Sequence, residues 1–236
     1  MRDPRLWRMQ YVAGQLAGAY SRLVPLAGWR TPERRPQVVT AKTAVCIEGF
    51  PRSGNWFALR VFQEANPEVG PIAHHIHLAG QIRRAVRYGV PCVALVRDPV
   101  GAVASFLLFE DRLTPRIALW SWIRYHETVA RSAHAIEILP FDQLLEMPES
   151  VVARLNRRYG REFAIPQLDP DGTAAVLDRL EHDQRYRQTE RTRSTPTPQR
   201  RQANEHARQR VMAEPAIDLA VALYERLGAT AVPAPG

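Results

Sequence analysis

The chain has 236 residues, 45% hydrophobic and 24% charged, enough to bury one sizeable core and ordinary for a globular domain. That composition excludes collagen-like, coiled-coil and wholly disordered chains. The formal net charge is +8, carried almost entirely by arginine, since Lys42 is the single lysine. A GC-rich coding sequence accounts for that choice of residue, but not for its placement. Residues 1–35 carry +5 and residues 185–210 carry +6, clusters suited to phosphate-rich ligands, anionic lipid or nucleic acid. Cys46 and Cys92 are too few for a disulfide framework, so a reduced, cytoplasmic setting is expected. No apolar run approaches the ~18–20 residues that span a bilayer, and Arg8, Gln10 and Gln15 interrupt any signal-peptide core.

In chain order, residues 1–36 read as a basic N-terminal segment and linker, and 37–236 as one α/β domain. Thr43–Gly49 is a short apolar run bounded by a turn, which predicts a buried strand. Asn55–Ala65 has helical spacing and stops before Pro67. Ile72–His77 reads as a second strand, Ala79–Tyr88 as an arginine-rich helix, and Pro91–Val96 as the most apolar strand. Pro99 suits a first helical turn, with Val100–Phe109 continuing the helix. Arg116–His134 is a long amphipathic helix, in which Trp120, Trp122 and Tyr125 have the spacing of core residues. Ala135–Leu139 reads as a fourth strand, and Phe141–Gly160 as helix interrupted near Pro148. Gln184–Arg210, polar and holding Pro196 and Pro198, reads as a loop or lid. Ala216–Leu227 closes the chain as a helix. Alternating strands and helices imply βαβ units and a parallel sheet covered on both faces, with ligands at the strands' C-terminal edge.

Two elements carry chemistry. Gly49-Phe50-Pro51-Arg52-Ser53-Gly54-Asn55-Trp56 lies between a buried strand and a helix. Such a turn aims backbone N–H groups and a helix N-terminus at one point, an anion site. Ser53 and Asn55 add donors, Gly54 permits close approach, and Arg52 adds permanent charge. It is not a Walker A loop, because Asn55-Trp56 stands where Lys-Ser/Thr would be required, and the magnesium-binding hydroxyl is missing. The second element is Arg97-Asp98-Pro99 followed by Ser105, eight residues after Arg97. An arginine closing a buried strand emerges at the same edge as the first turn, where it and Ser105 are suited to a second phosphate.

Together, Pro51-Arg52-Ser53-Gly54-Asn55-Trp56-Phe57 and Arg97-Asp98-Pro99…Ser105 resemble the sulfotransferases that use 3′-phosphoadenosine-5′-phosphosulfate (PAPS). The resemblance covers about residues 43–160, including Pro140-Phe141-Asp142-Gln143-Leu144. It implies a three-layer P-loop-like fold with an arginine-rich C-terminal loop or lid, and PAPS as co-substrate. It also implies PAPS held by Arg52, Ser53, Gly54, Asn55, Trp56, Arg97 and Ser105, with Arg193 among the C-terminal arginines (Arg191, Arg193, Arg200, Arg201) over the 3′-phosphate.

His75-Ile76-His77 stands where the cytosolic branch has Lys-Thr-His. On a strand His75 and His77 would share a face while His74 points away, and a neutral imidazole can accept a hydroxyl proton. The implied catalytic set is His77 as base, His75 as helper and Arg52 as electrostatic clamp, with Glu110 and Glu48 in reserve. Arg52 replaces the family's lysine and cannot donate a proton. Phe57 replaces its adenine-stacking tryptophan, for which Trp56 is a substitute. The expected acceptor is a hydroxylated carbohydrate, lipid or small molecule. No metal is expected, because neither cysteine nor carboxylate accompanies the histidines. No nucleic-acid partner is expected, since no reading motif is present, while residues 1–35 are compatible with weak contact to an anionic membrane surface. A kinase-like P-loop enzyme, a non-catalytic nucleotide binder and an arginine-rich nucleic-acid binder are the alternatives.

Overall fold

The computed structural model describes residues 37–146, 148–167, 170–182 and 198–230, together with positions 8, 9, 11–13 and 15. Four strands, β1 (Val45–Gly49), β2 (Ile72–His74), β3 (Cys92–Val96) and β4 (Glu137–Pro140), form one all-parallel sheet in the order β2-β1-β3-β4. Helices α1 (Asn55–Ala65) and α2 (Gly80–Tyr88) fill the first two crossovers. Helices α3 (Pro99–Phe109) and α4 (Pro115–Ser132) together fill the third. Short α5 (Phe141–Glu146), then α6 (Pro148–Tyr159), α7 (Pro170–His182), α8 (Pro198–Met212) and α9 (Ile217–Thr230) follow.

The central strands are buried on both faces, which is why β1 and β3 read as nearly continuous apolar runs. Their side chains divide with the two-residue period of a pleated strand. Val45, Ile47, Val93 and Leu95 join α1, α6 and α7 in one core layer, built around Phe57, Phe62, Leu155 and Val176. Cys46, Cys92, Ala94 and Val96 face the other layer, where α2, α3, α4, α8 and α9 pack around Phe50, Ile82, Trp122 and Leu223. Three layers result, as the sequence implies.

Helix starts follow local chemistry. The Asp98 carboxylate accepts from the Gly101 N–H at 2.6 Å with Pro99 in the first turn, and Thr114 Oγ1 accepts from the Ile117 N–H at 3.3 Å ahead of Pro115.

Three expectations are corrected. The first strand begins at Val45, because Thr40–Thr43 forms a turn closed by the Thr43 N–H on the Thr40 carbonyl at 3.1 Å. The second strand ends at His74 rather than His77, because His75 and His77 both take left-handed backbone, each with φ 55. Residues 198–210 are helix rather than loop: Pro198 sits in the first turn, where its missing N–H costs nothing, and Ala207 and Val211 bury a narrow stripe facing α3. The rest of the expected lid, residues 184–197, lies outside the described residues, Arg191 and Arg193 with it. Tyr11, in the N-terminal segment, packs against Phe106 with ring centroids 6.4 Å apart.

Candidate anion site at the sheet edge

The strand order reverses between β1 and β3, since β2 lies on one side of that pair and β4 on the other. The turns leaving the C-terminal ends of β1 and β3 lie on either side of this switch point, where parallel α/β sheets form the crevice that takes ligands. Those turns are Phe50–Gly54 and Arg97–Asp98, the two elements singled out in the sequence.

The first turn is anchored from beneath. Phe50 is 1% exposed and drives its ring edge-on against Phe106, centroids 5.5 Å apart, and toward Tyr125 at 6.1 Å. The chain then reverses, with the Ser53 N–H donating to the Phe50 carbonyl at 3.2 Å and Asn55 Nδ2 to the same oxygen at 3.1 Å. Arg52 has φ 71 and Gly54 has φ 82. A left-handed non-glycine residue costs about 1–2 kcal/mol and persists only where its surroundings over-determine it. Left-handed residues alternating with right-handed ones turn successive N–H groups into one concavity, which favours an anion. Gly54 is required for space as well, since a Cβ there would sit 3.0 Å from both Phe141 and Leu144.

Three of the expected ligand residues meet. Arg52 Nε donates to Ser105 Oγ at 3.1 Å, and Arg97 Nη1 donates to the Arg52 carbonyl at 3.0 Å. The Arg97 guanidinium lies 4.7 Å from the Phe141 ring centroid, and that of Arg52 lies 5.9 Å from the exposed ring of Phe109. Burial pulls Arg97 below the usual guanidinium range; Asp98 and Asp142 oppose that shift and Arg208 adds to it. Arg208, on α8, is near enough for its charge to act on Arg97; the sequence pattern there reads as loop and does not single it out. Burial, followed by the charges of Asp142 and Asp98, pushes up the phenol of Tyr224 on α9.

The other expected ligands sit differently. Ser53 is fully buried and its Oγ has no partner; the Oδ1 of Asn55 is likewise buried and unpartnered. The side chain by which this turn meets Ser105 is therefore that of Arg52, while those of Ser53 and Asn55 stay within the fold. Trp56 is 36% exposed, with its ring centroid 3.9 Å from that of His75, whereas Phe57 is buried in the core beneath. Arg201 is exposed on α8.

The histidines gather, though not as strand neighbours. His75 and His77 have ring centroids 5.5 Å apart, and His74 joins them, its Nδ1 lying 2.8 Å from Nδ1 of His75. The expectation that His74 points away is corrected, because the left-handed kink at His75 swings the chain. Burial lowers His74 to about 4, so it is neutral at pH 7. His77 Nδ1 is 2.8 Å from the Gly49 carbonyl, which can only accept, so Nδ1 carries the proton and Nε2 is the basic nitrogen. Glu48, buried in β1, accepts from the N–H groups of Gly49, Ile76 and His77 at 3.2, 3.0 and 3.3 Å. Glu110 is instead engaged by Arg112, through Nε and Nη2 at 2.6 Å each.

Among the described residues no cluster of three or more metal-ligating side chains occurs, and no helix is long and apolar enough to cross a membrane. No family model and no curated protein matches the chain. Among solved structures, that of mouse sulfotransferase SULT7A1 complexed with PAP is similar over 82% of this chain and 92% of its own, at 10% identity and a TM-score of 0.43.

Proposed function

We propose that the chain transfers a sulfuryl group from PAPS to a hydroxylated acceptor, with His77 as base. The observation that carries this reading is the single connected cluster of Arg52, Ser105 and Arg97 at the switch point, on a turn whose backbone is left-handed at Arg52 and Gly54. Two permanent charges beside a left-handed turn that leads into the N-terminus of α1 suit a nucleotide bearing two separate phosphate groups. The missing lysine and magnesium hydroxyl count against a kinase-like P-loop enzyme.

The residues present fit such a nucleotide. The Arg52–Trp56 backbone and the Arg52 guanidinium would hold the 5′ end, and Arg97 and Ser105 the 3′-phosphate, with Arg208 as the C-terminal contribution. PAPS, when bound, would supply the sulfuryl group to the acceptor oxygen, with the 5′-phosphate as leaving group taking the electron pair of the broken sulfur–oxygen bond. His77 Nε2 takes the hydroxyl proton, and Arg52 offsets the charge that develops on the phosphate. His75, beside His77 and under Trp56, orients that edge of the site.

Titration calorimetry with 3′-phosphoadenosine 5′-phosphate (PAP) and with AMP tests the reading. Binding of PAP at least ~10-fold tighter than AMP, with the difference abolished in Arg97→Ala, is the expected result. Equal affinities in the parent protein would remove the 3′-phosphate pocket and the assignment with it.

A further inference from the structure

Glu48 is the fourth residue of a fully buried strand, in a position where every neighbour in β1 is apolar or glycine. Strand alternation points it to the same face as Cys46, under the segment that leaves β2. An isolated carboxylate there would be prohibitively costly, so what surrounds it decides its purpose. Oε2 accepts from the Ile76 N–H at 3.0 Å, and Oε1 from the His77 N–H at 3.3 Å and the Gly49 N–H at 3.2 Å.

The left-handed backbone at His75 helps turn the Ile76 and His77 N–H groups onto one carboxylate. Two strained non-glycine residues in three are hard to hold by local preference, and the carboxylate supplies the compensation. The same oxygen that accepts from the His77 backbone lies 3.5 Å from His77 Nδ1, next to the Gly49 carbonyl at 2.8 Å. Two acceptors therefore converge on one ring nitrogen.

We propose that Glu48 is the positioning residue for His77: its carboxylate folds residues 75–77 into their kinked path and, with the Gly49 carbonyl, locks the imidazole with Nδ1 protonated and Nε2 as the basic nitrogen. Its catalytic meaning rests on the sulfuryl-transfer reading, while the contact itself does not. It also removes Glu48 from the candidate bases, because its oxygens are turned to the backbone of its own crossover. The other titratable groups around His77 are His75 and, through it, His74; Tyr125, from α4, feels the charge of Glu48 from the core side.

Nitrogen-15 NMR of histidine-labelled protein reads the tautomer directly, with His77→Gln to assign the signals. The parent protein should show His77 as the Nδ1–H form. Glu48→Gln keeps the size but loses one acceptor oxygen and the charge, so it should move His77 toward a mixture of tautomers. Glu48→Asp, which keeps the charge, should restore part of the parent spectrum. A parent His77 in the Nε2–H form overturns the proposal whether or not the variants fold, and so does a folded Glu48→Gln protein with an unshifted tautomer. PAP titration of the same samples separates the two readings. Absence of PAP binding with a Glu48-sensitive His77 removes sulfuryl transfer and supports the positioning contact. PAP binding with a Glu48-insensitive His77 does the reverse.

Discussion

Arg97 reaches across the switch point to donate to the main-chain carbonyl of Arg52 at 3.0 Å, so the residue just after β3 holds the shape of the turn that follows β1. Each of the two anchors in the crevice thus depends on the other. The Arg52 side chain, in turn, rests on Ser105 of α3 at 3.1 Å, closing a loop from one crossover to the next.

Arg97→Lys should therefore fail to substitute. A lysine keeps the charge but has neither the fork that reaches the Arg52 carbonyl nor the flat face that lies against Phe141. PAP affinity should fall by roughly 10–100-fold, the worth of a charged hydrogen bond, and calorimetry on the folded variant measures it. Parent-like affinity would show that charge alone suffices.

Gly54→Ala should destabilise the fold by about 1–3 kcal/mol. Its φ of 82 is strained for alanine, and the added methyl would meet Phe141 and Leu144 at 3.0 Å. Gly89→Ala is the control, with φ 64 but nothing within 4 Å, so it bears the backbone cost without the collision. Denaturant unfolding of both should rank Gly54→Ala as the worse; the opposite order would place the turn away from α5.

His77→Ala should lower turnover by about 10²–10⁴-fold, the usual worth of a positioned base. PAP affinity should stay close to that of the parent, because the role proposed for His77 is toward the acceptor hydroxyl and not the nucleotide. Full turnover on an identified acceptor would move the base elsewhere.

His126 gives the fold a sensitivity to acid. It is fully buried against Trp122, with ring centroids 3.8 Å apart, its Nδ1 bonded to the Trp122 carbonyl at 2.8 Å and its Nε2 unpartnered. Burial lowers it to about 3, against 6.5 for an ordinary histidine. Below pH 6.5 the unfolded chain binds a proton that the native state refuses. Stability from this group is complete above pH 6.5 and is lost as the pH falls toward 3, by about 1.4 kcal/mol per pH unit. His126→Phe should flatten the dependence of unfolding free energy on pH between 6 and 4 by about one proton. An unaltered slope would mean that the imidazole is not held neutral.

Much of this architecture is legible in residue patterns. The runs Val45–Gly49 and Cys92–Val96 are buried on both faces and bounded by turn residues, so their burial announces itself. Arg97 and Ser105 are placed by the strand end and helix around them. Long-range partners are what local pattern misses. His75-Ile76-His77 looks like strand because its kink is imposed by Glu48, 28 residues upstream. Helix α8 looks like loop because its buried stripe is little more than Ala207 and Val211 among arginines and glutamines. Arg208 was lost with it.

That late helix has a consequence for biosynthesis. The turns after β1 and β3 are made early, yet the core on the sheet face bearing Cys46, Ala94 and Ile138 includes Val211 of α8 and Ala220, Leu223 and Leu227 of α9. At ~5–20 residues per second, a ribosome needs several seconds more to extend the chain from β4 through α9. During that interval the nascent polypeptide displays an uncovered apolar surface, an invitation to chaperones.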